Sequence, residues 1–337
     1  MLDRSVTGDF DKASRLEWLE VNGLGGYASG TVSGALTRRY HGLLIAALEP
    51  PVKRTVLLSK LDETLVLSGD TTASSLRIEL GANQYPNAVH PAGYQHIERF
   101  DRDLFPVIYF EAGGVRLKKT IASVLDENTT LVIYEVIDAS TEFTLELLPL
   151  ASARDHHGIC SENNAIGRQY LFENGLFRTV NYHGGTEVFI DVPGSSFVES
   201  QVWYKDFEYL REMERGLEFR EDLYSHGSFI VKLRKGEKLG VIISTEDPSD
   251  RNAFELFEIE RKRRIGLQQN LQSKNPSWSR LMLAADQFIA RREKSFTVIA
   301  GYPWFSDWGR DTMISLPGLC LETGRLSIAR EIITAVC

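Results

Sequence analysis

The chain has 337 residues, of which 43% are hydrophobic and 25% charged, with a formal net charge of −8 and a pI near 5.5. This is the composition of a soluble globular protein able to bury a sizeable core, and the acidic balance argues against a general nucleic-acid or anionic-membrane surface. Cys160, Cys320 and Cys337 show neither metal-ligand spacing nor an even-count framework, so they read as reduced thiols. The first ten residues lack the apolar core of a signal peptide, and the apolar run Leu43 to Leu48 is too short to span a bilayer. The expected location is cytoplasmic, and the length predicts two domains.

Residues 1–247 read as strands. Runs rich in β-branched and aromatic residues recur at short spacing: Gly42 to Ala47, Arg54 to Leu58, Val107 to Phe110, Leu131 to Ile137, Phe143 to Leu148, Glu187 to Ile190 and Phe229 to Leu233. Gly113-Gly114 and Gly184-Gly185 mark hairpin turns. Many strands without long intervening helices predict a large antiparallel sandwich. Phe207 to Gly216 interrupts them as a short exposed helix closed by Gly216.

The pattern changes after Asp247-Pro248. Residues 248–275 read as a polar helical linker, with Phe254, Phe257, Ile259, Ile265 and Leu267 as its apolar positions. Pro276 opens a helix, as proline does well at a first helical position, and Trp278, Leu281, Ala285, Phe288 and Ile289 follow at helical spacing. Two more helices are expected over Thr312–Leu321 and Ser327–Val336, separated at Thr323-Gly324, with Pro317 kinking or dividing the first. The expectation is thus an all-β part followed by an all-α part over 276–337. The last helix carries no stop signal before Cys337. That predicts a chain cut inside a helical domain, the alternative being a short helical tail docked on the sandwich.

The densest chemistry lies in Ala300-Gly-Tyr-Pro-Trp-Phe-Ser-Asp-Trp-Gly-Arg-Asp-Thr312. Tyr302, Trp304, Phe305 and Trp308 surround the carboxylates Asp307 and Asp311 and the guanidinium of Arg310. Aromatic faces stack on the C–H faces of a pyranose, and charged groups hydrogen-bond its hydroxyls. A buried aromatic cluster with a structural Arg310–Asp311 ion pair is the competing reading. Gly301, Pro303 and Gly309 predict a loop entering a helix. A second segment, Glu17 to Leu44, is rich in glycine (Gly23, Gly25, Gly26, Gly30, Gly34) but has neither the dinucleotide nor the phosphate-loop pattern. Its Arg38-Arg39-Tyr40-His41 either faces a ligand or ties the sandwich to the helical part, and the structural role is favoured. His156-His157 lacks a third spaced ligand and reads as loop, and no Gly-x-Ser-x-Gly elbow supports a serine hydrolase.

Asn22 to Leu44, Leu57 to Thr64, Glu214 to Leu223 and Ala300 to Thr312 together resemble the bacterial and archaeal glycogen debranching enzymes, the amylo-α-1,6-glucosidases. The resemblance implies an N-terminal β-supersandwich over 1–247, a linker over 248–275, and over 276–337 the first helices of an incomplete (α/α)6 toroid. It implies hydrolysis of the α-1,6 branch stubs of glycogen or a branched α-glucan, with one carboxyl as acid and a second as base or nucleophile. Arg310 and Asp311 would grip the terminal glucose, Trp304 or Trp308 would wall the site, and Asp307 would bind substrate in preference to acting as the acid. No catalytic residue is assigned within the chain. The acid and base are expected beyond Cys337, so residues 1–337 alone are expected not to turn over. No cofactor is demanded and no loop has EF-hand spacing. The alternatives are a non-catalytic glucan-binding sandwich module and a glucoamylase-like α-1,4-glucosidase. Oligomeric state is not legible in the sequence.

Overall fold

The computed structural model describes residues 1–68, 75–269 and 276–336. Cys337 and residues 270–275 of the expected linker lie outside the described residues. Among the described residues the N-terminal part is built from three large antiparallel sheets and the two-stranded hairpin Ala82–Tyr85 and Ala88–Ala92. The largest has nine strands, in the order Leu2–Asp3, Ile97–Arg102, Pro106–Ala112, Val115–Ser123, Thr129–Ala139, Lys238–Ser244, Glu187–Asp191, Leu176–Val180 and Tyr170–Glu173. A five-stranded sheet runs Ser196–Glu208, Arg220–Leu233, Phe143–Leu150, Lys60–Ser68 and Ser75–Glu79. A second runs Arg154–Asp155, Val52–Leu58, Gly42–Glu49, Tyr27–Thr31 and Glu17–Val21.

Period-two alternation builds the core between them. Leu61 and Leu65, with Leu145 and Leu147 on the neighbouring strand, are buried and meet Leu117, Ile121, Tyr134 and Val136 of the nine-stranded sheet in one cluster. Gly113 (φ 57°) and Gly114 (φ 76°) close the hairpin between Pro106–Ala112 and Val115–Ser123, in the left-handed region that glycine adopts without steric cost.

The short helix is Leu210–Glu214, with Gly216 left-handed just beyond it. The expected exposed helix over Phe207 to Gly216 is corrected: Phe207 and Glu208 end a strand, and Glu212 is fully buried, held by Arg215 at 3.2 Å and by Arg39 at 3.9 Å. Likewise the linker helix, Ala253–Gln269, is no free polar spacer. Phe254, Leu256 and Phe257 pack on Phe105, Leu131, Ile133 and Ile242 of the sandwich, and Glu260 and Arg264 are buried.

The expected switch to an all-α part is corrected. The helix that starts at Pro276 stops at Asp286, and a three-stranded antiparallel sheet follows: Ile289–Arg292, Ser295–Gly301 and Phe305–Asp307. Ile289 therefore belongs to a strand, paired with Val298, not to a helix face. The β-branched run Thr297-Val298-Ile299 prefers a pleated surface, and the turn at Glu293 (φ 53°) returns the chain on itself. Helices Gly309–Leu316 and Leu326–Val336 then follow, with a π-helical stretch Pro317–Leu321 between them, so Pro317 does divide the segment. Ile289, Val298, Leu316, Cys320, Ala329 and Ile332 form a small core of their own. No helix among the described residues is long and apolar enough to cross a membrane.

Candidate functional site

The segment read as a loop is a hairpin. Gly301 pairs with Phe305 and Ile299 with Asp307, so Tyr302-Pro303-Trp304 forms the turn. Tyr302 points into the sandwich, its ring 5.5 Å from Tyr27 and 6.4 Å from Phe288. Burial pushes its phenol up to about 12, the nearby Arg54 cation opposing, and the hydroxyl has no hydrogen-bond partner among the described residues.

Arg54 of strand Val52–Leu58 clamps the turn from below. Its Nη1 donates to the carbonyls of Pro303 (3.2 Å) and Phe305 (3.1 Å), and its guanidinium lies over the Tyr302 ring at 5.0 Å. Arg54 is 2% exposed and pairs with no carboxylate among the described residues. Two carbonyl dipoles and the faces of Tyr27 and Tyr302 therefore carry the compensation that a buried cation requires.

Trp304 turns the other way, onto the segment flagged at Arg38 to His41. The guanidinium of Arg38 lies 5.2 Å from its ring, that of Arg215 lies 5.7 Å away, and Tyr40 meets it edge-on at 6.5 Å. Arg38 is fixed by Glu17, whose two oxygens both accept from its Nε at 3.0 Å. His41 accepts from the Thr37 amide at Nδ1 and therefore donates from Nε2 to Glu17, at 3.3 Å. Burial alone would raise the Glu17 carboxyl, but the bonds from His41 and Arg38 hold it down at about 2. Beneath Tyr40 lie His156 and His157. His156 is buried with neither ring nitrogen hydrogen-bonded among the described residues, Nδ1 lying 3.9 Å from Asp155, and burial, with His157 and Arg54 adding, holds it down at about 3.

The remaining predicted residues lie on the outer side of the hairpin. Asp307 is engaged internally: its side chain is 8% exposed, pairs with Arg292 and accepts from Thr297 Oγ1 at 3.0 Å. Trp308 is 60% exposed and precedes helix Gly309–Leu316, its carbonyl accepting from the Thr312 amide at 2.9 Å. Phe305 is 53% exposed. Arg310 and Asp311 occupy the first helical turn, and neither their charged groups nor the two residues to each other make a hydrogen bond or ion pair among the described residues. A carboxylate there is favoured by the helix dipole and is open to hydroxyl donors.

The structure thus divides the predicted set. Phe305 and Trp308 are exposed and the charged groups of Arg310 and Asp311 have no partner among the described residues, whereas Trp304 is seated on the sandwich through Arg38, Tyr40 and Arg215, and Asp307 anchors the hairpin; the first four are called the tip below. Arg54 had no sequence signal, being one residue of a buried strand, and Tyr27 lay within the Asn22 to Leu44 stretch that carried the resemblance without being singled out. Arg215 lay within the Glu214 to Leu223 stretch that carried the resemblance. In that same stretch, Glu221 is buried against Arg154 and the Tyr209 hydroxyl. Among the described residues no group of three or more His, Cys, Asp or Glu side chains could hold a metal ion.

Residues 16–240 match the family model described as glycogen debranching enzyme N terminal, and residues 283–337 match that described as amylo-alpha-1,6-glucosidase. No curated protein matches the chain. Among solved structures, a bacterial glucoamylase complexed with acarbose is similar over 94% of this chain, at 9% identity and a TM-score of 0.44. The chain spans about half of that structure, 47% of its length.

Proposed function

The chain belongs to the glycogen debranching enzyme N-terminal family, and from that premise we propose that the protein acts in the hydrolysis of α-1,6-glucosidic branch stubs of glycogen or a related branched α-glucan. The observation that carries this reading is the exposed Phe305 and Trp308 just ahead of Arg310 and Asp311, whose charged groups have no partner among the described residues, within the segment matched to the glucosidase model. Asp311 accepts hydrogen bonds from the hydroxyls of a terminal glucose, Arg310 donates to them, and Trp308 walls the sugar. Trp304 supports this wall from the sandwich side. Asp307 holds the hairpin that presents them and reaches substrate only if Arg292 releases it.

In this reading residues 1–247 are the supersandwich, 248–275 the linker, and the helices from Pro276 onward open an (α/α)6 toroid. The general acid and base come from later helices of that toroid, one protonating the leaving oxygen and the other acting as base or nucleophile. The chemistry needs no cofactor, and the setting is cytoplasmic. The test is glucose release by the full-length gene product. Release from a branched limit dextrin, with linear maltoheptaose left intact and activity lost on Asp311→Asn or Arg310→Ala, is expected. No release from the dextrin, or equal release from both substrates, would overturn the reading.

A further inference from the structure

A groove of about 360 Å³ lies on the five-stranded sheet, well within the size range of small-ligand pockets, about 300–1,000 Å³. Its floor is the outward face of the sheet. Along Lys60–Ser68 the side chains of Leu61, Glu63 and Leu65 go inward, so Asp62 and Thr64 face out. Thr64 is in register with Glu79 on one side and Glu146 on the other, which lines both carboxylates up across three strands. The hairpin Ala82–Tyr85 and Ala88–Ala92 forms the side wall. It is tied down by Lys60 Nζ donating to the Ala82 carbonyl at 2.8 Å and by Asn83 Nδ2 donating to Asp62 at 2.9 Å. A Cβ at Gly81 would lie 2.7 Å from the Asp62 carboxyl carbon, so glycine is what admits that carboxylate to the floor.

The groups left available inside the groove define the ligand. Asp62 is occupied by Lys60 and Asn83, and Glu146 by both Nη atoms of Arg77. That leaves no set of free carboxylates for a divalent cation. The Glu79 carboxylate and the phenol hydroxyls of Tyr85 and Tyr204 have no hydrogen-bond partner among the described residues. Tyr85 and Tyr204 are half-buried, and Tyr85 is braced by Phe207 at 5.0 Å. Two tyrosine rings, two free hydroxyls and one free carboxylate suit a neutral polyhydroxylated ligand with an apolar face, and the carboxylates disfavour an anion.

We propose that this groove is an α-glucan-binding site, separate from the Trp308–Asp311 tip. The choice of α-glucan rests on the function proposed above; the groove geometry does not. Calorimetric titration of the 337-residue protein with maltoheptaose tests it. Tyr204→Ala and Glu79→Gln should each weaken binding about fivefold or more, while Asp311→Asn leaves that binding component in place. Glu79 is exposed and its carboxylate makes no hydrogen bond or ion pair among the described residues, so its substitution should not disturb folding, which circular dichroism checks for both variants. Binding that is insensitive to both groove variants but lost with Asp311→Asn would overturn the groove and leave the tip intact. Absence of maltoheptaose binding in the unsubstituted protein would overturn the groove too, with the glucose-release assay still deciding the function of the tip.

Discussion

Arg264 of the linker helix reaches back into the sandwich, its Nη2 lying 2.6 Å from Oε2 of Glu20, with both side chains buried. The contact is the first link of a relay. Arg264 also binds Glu260 at 2.7 Å, Glu260 binds Arg263 at 2.7 Å, Arg263 binds Asp286 at 2.8 Å, and Asp286 binds Arg325 at 2.8 Å. Strand Glu17–Val21 is thereby connected through two helices to the residue just before helix Leu326–Val336.

Breaking the relay at its buried end should be costly. Arg264→Ala leaves Glu20 without its closest cation, with Arg102 only at 3.6 Å, and is expected to lower stability by about 3–5 kcal/mol. The double variant Glu20→Leu with Arg264→Met removes both charges and should lose less than Arg264→Ala alone. Urea denaturation of the three proteins checks the order, and a double variant less stable than the single one would refute it.

Acid should act on this fold in two stages. His156 is held down to about 3 from 6.5 by burial, then by His157 and Arg54, so the unfolded chain takes up that proton first as the pH falls. Stability should decline from about pH 6.5 towards 3 on this account, because the unfolded state binds more protons throughout that window. Glu17 contributes at the acid end of that window and beyond it. Its carboxyl lies near 2 instead of 4.5, because the bonds from His41 and Arg38 outweigh burial, so its stabilisation is complete above 4.5 and lost as the pH falls through 2. His156→Phe should flatten the upper stage and Glu17→Gln the lower, read from urea midpoints across pH. An unchanged upper slope in His156→Phe would show that the imidazole titrates normally.

Arg54 should matter more than its anonymity in the sequence suggests. Arg54→Met strands the carbonyls of Pro303 and Phe305 and is expected to cost about 2 kcal/mol, on the scale of lost hydrogen bonds to a charged group. Arg54→Lys keeps a cation beneath Tyr302 and should lose less. Denaturation gives the energies, and Trp304 fluorescence reports whether the turn has shifted. A Met variant as stable as the parent would mean that the turn is held by Tyr302 alone.

How far these features could be read beforehand depended on how local their signals were. The strands of the sandwich were legible because alternation and turn glycines such as Gly113-Gly114 act over a few residues. Residue type alone drew attention to the aromatic segment, but not that Trp304 and Asp307 turn inward while Phe305 and Trp308 stay exposed. The sheet over 289–307 was not, because Trp278, Leu281, Ala285, Phe288 and Ile289 satisfy a helical period even though the helix ends at Asp286, where Arg263 and Arg325 hold the aspartate. Partners distant in sequence were also hidden. Nothing near Trp304 announces Arg38 or Arg215, and nothing near Glu20 announces Arg264.

The two aspartates of the tip segment should separate cleanly. Asp307 is enclosed, receiving Arg292 and Thr297, so Asp307→Asn removes a charged partner inside the hairpin and is expected to cost about 1–3 kcal/mol of stability. The Asp311 carboxylate has no hydrogen bond or ion pair among the described residues, so Asp311→Asn should change stability by less than about 0.5 kcal/mol. Its effect should instead fall on ligand: weaker binding of a branched oligosaccharide at the tip by about tenfold, since hydrogen bonds to a carboxylate contribute about 1.5–3 kcal/mol. Thermal melts and titrations of both variants decide. If Asp307→Asn leaves the melt unchanged but abolishes binding, the roles of the two carboxylates are exchanged, and Asp307 is the group that meets the sugar.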